Sequence, residues 1–193
     1  SEKKTVVVAA AQDQSALTAV NRCKKEGLID AILVGDEALI KEEIKAFDGE
    51  MDDAKIIHAA TLEEAAKKTC ACVKNGEADF ILKGKIDTGI LLKAVVAEES
   101  GLRTGRLMSH LAFLKIPNYH KILVLTDSGM VLHPTLEQKK EIIENAVNSL
   151  QNMGYDTPKV GVLAAVEKVN PQQPETEDAA KLAEMNRNGQ IRD

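Results

Sequence analysis

Two runs in this sequence combine acids, hydroxyls and glycines as ligand-binding turns do. Lys83-Gly84-Lys85-Ile86-Asp87-Thr88-Gly89 follows an apolar run of strand length and opens an amphipathic helical pattern. The carboxyl end of a strand is where open α/β sheets bind their ligands. Asp87 or Thr88 can cap the helix and leave nearby N–H groups for an anion; a capping turn with no ligand is the other reading. Thr126-Asp127-Ser128-Gly129-Met130-Val131 also follows a strand-like run. There Asp127 is either a base or the acceptor of an Asx-turn, and Ser128 can donate to a phosphate or carbonyl oxygen.

Between Asp79 and Lys121 the cations are Lys83, Lys85, Lys93, Arg103, Arg106, Lys115 and Lys121, against Asp79, Asp87, Glu98 and Glu99. A local excess of +3 in a protein of net charge -5 reads as an anion site or as a lysine-rich solvated face. Arg103 and Arg106 favour the first reading. They lie in a glycine-flanked loop, Gly101 to Arg106, and guanidinium forks match phosphate oxygens. His58, His110, His120 and His133 have spacings unlike common zinc motifs. His58 ends a strand and reads as structural, whereas His110 alternates with Met108 and Ala112 on one face of an expected strand. There is no P-loop spacing, no dinucleotide glycine fingerprint and no Gly-x-Ser-x-Gly elbow.

The elements that must position these residues follow from the apolar pattern. Strand-length runs at Thr5–Ala11, Ala31–Gly35, Ala54–Ala59 and Asp79–Gly84 alternate with amphipathic helices, the βαβ signature of a parallel sheet. Asp13 and Asp36 start two of those helices, and Thr61 with Glu64 forms a capping box for a third. After Gly101 two strand-like runs follow each other without a helix, joined at Pro117-Asn118, which predicts an antiparallel hairpin. A helix from Leu136 to Met153, a strand over Pro158–Val166 and a helix over Glu177–Met185 complete the pattern. Gly189 and Gln190-Ile191 read as a helix stop entering a further strand, so either the polypeptide is truncated or a partner supplies the next strand.

At 193 residues the chain can bury roughly 70% of its unfolded surface in one large domain or two small ones. Its acidity excludes a pervasively basic nucleic-acid binder. Aromatics are only 3% of the residues, so the core must be aliphatic. Cys23, Cys70 and Cys72 are too few and odd in number for a disulfide framework, which points to a reducing, cytoplasmic setting. Cys70 and Cys72 project about 200° apart on a helix and do not face a common metal. The first apolar run is six residues long, too short for a signal peptide or a membrane span.

Lys83–Val96, Gly101–Val147 and Pro158–Thr176 together resemble the phosphate acetyltransferase and phosphate butyryltransferase family, the butyryltransferase branch most closely. The joint occurrence of Arg103–His110, Leu125–Met130 and Val166–Pro171 carries the resemblance. It implies reversible transfer of a short acyl group, butyryl or branched acyl favoured, between coenzyme A and inorganic phosphate. It implies no metal and no bound cofactor, with coenzyme A as a substrate. The fold it implies is two α/β domains with a parallel or mixed sheet, like isocitrate and isopropylmalate dehydrogenases, in a dimer with the active site in the cleft. Residues 1–106 would form the first domain, incomplete without further C-terminal elements, and 107–193 would begin the second. By the same resemblance Ser128 and Asp127 are catalytic. Lys83, Asp87, Thr88, Arg103, Arg106, Ser109 and His110 bind acyl-CoA and phosphate. Family members continue for about a hundred residues more, a stretch with a Ser-Arg and an Asp that has no counterpart here. A non-catalytic phosphate- and CoA-binding module is the alternative.

Overall fold

The computed structural model describes residues 3–47 and 49–191, and the chain divides into two compact units, Ser1–Thr104 and Gly105–Asp193. In the first unit, β1 (Lys4–Ala9), β2 (Ile29–Gly35), β3 (Lys55–His58) and β4 (Phe80–Lys83) form one parallel sheet in the order β3-β2-β1-β4. Parallel strands covered on both faces must be apolar throughout. Val6, Val7, Val8 and Ala9 are buried to within 1%, each valine stabilising the fold by roughly 1.5–3 kcal/mol. The register Val6↔Ala31 and Val8↔Leu33 aims those four residues at α1 (Gln14–Lys25) and α2 (Glu37–Ile44), where Leu17, Val20, Ile40 and Ile44 meet them. Val7, Ala9, Ile32 and Val34 face the other way, toward α3 (Leu62–Lys74) and α4 (Thr88–Val96).

Side-chain caps start all four helices: Asp13, Asp36, Thr61 and Asp87 each accept a first-turn N–H. At Thr61 the expected box closes differently. Thr61 Oγ1 accepts from Glu64 N at 3.1 Å, but the Glu64 carboxylate takes the N–H of Ala60 rather than that of the cap itself. His58 is structural, as its position predicts: its Nδ1 accepts the N–H of Glu37 at 3.3 Å. The strand order reverses direction at β1, where chain returning from β3 through α3 enters β4 on the far side. The carboxyl ends of β1 and β4 therefore flank the switch point of the sheet.

The second unit holds β5 (Ala112–Leu114) and β6 (Leu123–Leu125), an antiparallel pair, with α5 (Leu136–Asn152) and α6 (Pro174–Arg187). The predicted hairpin is present, and Asn118 takes the left-handed conformation, φ 68°, that asparagine tolerates at such a turn. Lys139 Nζ donates to Asp178 at 2.8 Å and ties α5 to α6. Three expectations fail here. Residues 158–166 form no strand: a ladder needs a neighbour, none of the described residues pairs with this run, and Val160, Val162, Leu163 and Val166 stay exposed. Residues 189–191 are likewise not a strand, and the remainder of that run lies outside the described residues. His110 precedes β5 instead of lying in it, for a reason that emerges from its bonds.

Candidate functional site

In the first unit, the turn after β4 is fixed by its backbone. Gly84 N–H donates to Ala9 O at 2.9 Å and Lys85 N–H to Ala10 O at 3.0 Å. Ala10 is fully buried with φ 54°, a left-handed conformation that costs a non-glycine residue about 1–2 kcal/mol. A Cβ on Gly84 would fall 2.4 Å from Ala10 O, so only glycine lets the two strand ends approach this closely. Ile86 plugs the turn into the core beside Ala9, Ala10, Ala66 and Leu91. Asp87 then caps α4, accepting from Gly89 N at 2.7 Å. Lys83, Lys85, Asp87 and Thr88 are exposed together at the positive end of the α4 dipole. Lys83 Nζ donates to Gly84 O at 3.3 Å. Arg103, also exposed, lies in the irregular segment that ends this unit.

In the second unit the base of the hairpin gathers four predicted residues: Ser109, His110, Asp127 and Ser128. The register Ala112↔Leu125, Phe113↔Val124 and Leu114↔Leu123, continued past the strand ends, sets residues 109–110 opposite 127–128. Backbone pairing stops there because side chains replace it. Thr126 Oγ1 donates to His110 O at 2.7 Å. The Asp127 carboxylate accepts the N–H groups of Gly129, Met130 and Val131 at 3.1–3.2 Å and a backbone bond from His110. Partial burial pushes the Asp127 carboxyl up, but the N–H donors of Met130, Gly129, Val131 and His110 together outweigh it and hold it below its usual 3.8. A carboxylate engaged in this way is a weak base. It builds the turn that presents Ser128.

The side chains so presented meet: His110 Nδ1 lies 2.9 Å from Ser128 Oγ, both exposed. In sequence the two residues stand 18 apart, although a hairpin turning near Pro117-Asn118 already implies that residues seven to ten positions on either side of the turn face each other. Two positions on α5 had no signal of this kind. Glu141 accepts the N–H of Leu107 at 3.0 Å, and Asn145 Nδ2 donates to Leu107 O at 2.7 Å and to Ser109 Oγ at 3.1 Å. Both look like solvated helix residues in sequence. Arg106 is exposed, two residues before the exposed side chain of Met108.

Elsewhere the described residues offer no group of three or more His, Cys, Asp or Glu placed to hold a metal, and no helix long and apolar enough to cross a membrane. Burial pushes the thiols of Cys70 and Cys72 up, with Glu77 adding to the effect at Cys72, so both are packing residues and poor nucleophiles.

The phosphate butyryltransferase of Clostridium acetobutylicum is 39% identical over 191 residues, which is 99% of this chain and 64% of that protein. The phosphate acetyltransferase of Thermotoga maritima is 41% identical over 189 residues, 98% of this chain and 64% of the relative. Among solved structures, a branched-chain phosphotransacylase from Enterococcus faecalis superposes with a TM-score of 0.81 at 30% identity, over 95% of this chain and 64% of that one. The chain thus spans just under two thirds of the length of these relatives. The profile of phosphate acetyl/butaryl transferases matches residues 1–71 and 59–192, in two overlapping stretches that run almost end to end; the chain belongs to that family.

Proposed function

We propose that the protein transfers a short acyl group between coenzyme A and inorganic phosphate, acyl-CoA plus phosphate giving acyl phosphate plus free CoA. The observation that carries this reading is the family match along nearly the whole chain, and relatives named phosphate butyryltransferase and phosphate acetyltransferase support it. Butyryl or branched acyl groups are favoured, a choice supported by the likeness to the E. faecalis branched-chain enzyme. Coenzyme A acts as substrate and no cofactor is retained. The isocitrate dehydrogenase-like architecture, a homodimer and a cytoplasmic setting belong to the same proposal.

The reaction needs cations for phosphate, donors for the oxygen that becomes negative when the carbonyl is attacked, and a route for the thiol proton. Lys83, Arg103 and Arg106 supply the cations, and Asp87 with Thr88 shapes the α4 turn beside Lys83. Ser109 and Ser128 supply hydroxyl donors. A phosphate oxygen attacks the thioester carbonyl, the C–S bond breaks, and the thiolate leaves and takes a proton. Asp127, capped by backbone N–H groups, holds Ser128 in place and is not the group that moves that proton. His110 Nδ1 is the hydrogen-bond partner of the Ser128 hydroxyl.

The test is phosphate-dependent release of CoA thiol from acetyl-, butyryl- and isobutyryl-CoA, with this chain and with the full product of its gene. Turnover fastest on butyryl or isobutyryl donors supports the proposal in full. Turnover fastest on acetyl-CoA keeps the reaction and overturns the chain-length preference. Silence from both proteins on every donor, with saturable phosphate binding retained, replaces it with a non-catalytic binding module.

A further inference from the structure

We infer that Asn145, on α5, is a positioning residue that fixes Ser109 as a hydrogen-bond donor toward a bound phosphate oxygen. The inference rests on the reading that Ser109 belongs to a phosphate site. The orientation of the Asn145 amide is not ambiguous. It faces the carbonyl oxygen of Leu107 at 2.7 Å, and a carbonyl only accepts, so the atom there must be Nδ2 with its hydrogens. The same Nδ2 lies 3.1 Å from Ser109 Oγ, and an amide nitrogen offers hydrogens and no lone pair. Ser109 Oγ therefore accepts from Asn145, and its own proton points elsewhere. None of the described residues accepts that proton, and Ser109 is half-buried at the rim of the hairpin base.

Ser128 Oγ shares its bond with an imidazole nitrogen, which accepts or donates according to tautomer. Ser109 has no such freedom. Its partner atom is a pure donor, held on the middle of a 17-residue helix, nearly three turns from the capping box at Thr135. Asn145 is itself half-buried, and its neighbour one turn earlier, Glu141, clamps the N–H of Leu107. Leu107 is thus gripped at both its N–H and its carbonyl by one helix face. The loop cannot rotate Ser109 away without breaking both bonds.

The experiment compares Asn145→Ala, Ser109→Ala and the double variant in the protein, reading the KM for phosphate, the KM for acyl-CoA and kcat. In parallel, equilibrium dialysis of labelled inorganic phosphate reads binding without turnover. Each single variant is expected to weaken phosphate, in KM and in dialysis, by about tenfold, the weight of one hydrogen bond to a charged acceptor. The acyl-CoA KM should move less than about twofold, and the double variant should be no worse than Ser109→Ala, because the two residues form one unit. Multiplying effects in the double variant, or an equal rise in both KM values, would overturn the inference. If Asn145→Ala loses its fold, as judged by its circular dichroism, Ser109→Ala alone decides: unchanged phosphate affinity rejects the donor role. Wild-type protein that binds phosphate without acyl transfer removes the proposed reaction and leaves this inference standing. Wild-type protein that binds no phosphate removes both.

Discussion

Replacing Gly84 by alanine tests whether the close approach of β1 and β4 governs the turn that displays Lys83, Lys85, Asp87 and Thr88. The added Cβ would sit 2.4 Å from Ala10 O, 2.8 Å from Ala9 O and 3.1 Å from Ala10 C. All three are backbone atoms of Ala9 and Ala10, fully buried residues at the carboxyl end of β1, so no side chain can swing aside. Restoring an ordinary contact requires the turn to move off by most of an ångström, which lengthens the bonds from Gly84 N–H and Lys85 N–H beyond useful range. Two buried backbone hydrogen bonds are worth roughly 1 kcal/mol each, and the groups left unpaired add about 1–2 kcal/mol. The lower entropy of the unfolded alanine chain returns about 0.4–1 kcal/mol. The expected net loss is therefore about 2–3.5 kcal/mol, a fall in melting temperature of roughly 4–14 °C for a chain of this size. Urea unfolding followed by circular dichroism measures it, with Gly161→Ala as the control, where nothing lies within 4 Å of the new Cβ. A Gly84→Ala protein within about 0.5 kcal/mol of the wild type would refute the packing account of this turn.

Ala10→Gly should shift stability by less than about 1 kcal/mol, since the strain relieved at φ 54° is offset by the lost buried methyl and the added unfolded entropy; a urea midpoint close to the wild type checks this. The Asp127 carboxyl is held low in the fold, so its stabilising effect is complete above its unfolded pKa. The effect is lost as the pH falls below about 4, and Asp127→Asn should flatten that part of the acid-unfolding curve while lowering stability at pH 7. In the native protein a thiol reagent should label Cys23 and spare Cys70 and Cys72, which react only in denaturant; mass spectrometry of the labelled peptides distinguishes the sites.

The first unit was largely legible because every level of its sequence points one way. Val6 to Ala9 cannot be solvated, Asp13, Asp36, Thr61 and Asp87 each mark a helix start, and the alternation of strand and helix admits little besides a parallel sheet. Pairing partners beyond sequence neighbours were harder. Pro158–Val166 has the apolar composition of a strand, yet a strand is defined by its neighbour, and composition does not supply one. His110 was expected in a strand because Met108, His110 and Ala112 alternate correctly. What ends the ladder is the side-chain chemistry of Thr126 and Asp127, sixteen and more residues away. Asn145 and Glu141 carry no such signal for a related reason: polar residues on a helix read as solvent-facing until the loop packed over them is known.

At the hairpin base the fold grips residue 110 through its peptide group, at the carbonyl by Thr126 and at the N–H by Asp127, while the imidazole takes no part in that grip. Frame and reagent are separate parts. Exchanging His110 for another side chain leaves the loop standing and alters only what faces Ser128, whereas exchanging Thr126 or Asp127 loosens the loop and displaces every group on it. Position 110 is thus a socket into which a lineage can fit different chemistry at little cost in stability. Saturation libraries at 110 and 128 should yield folded proteins at far higher frequency than libraries at 126 and 127.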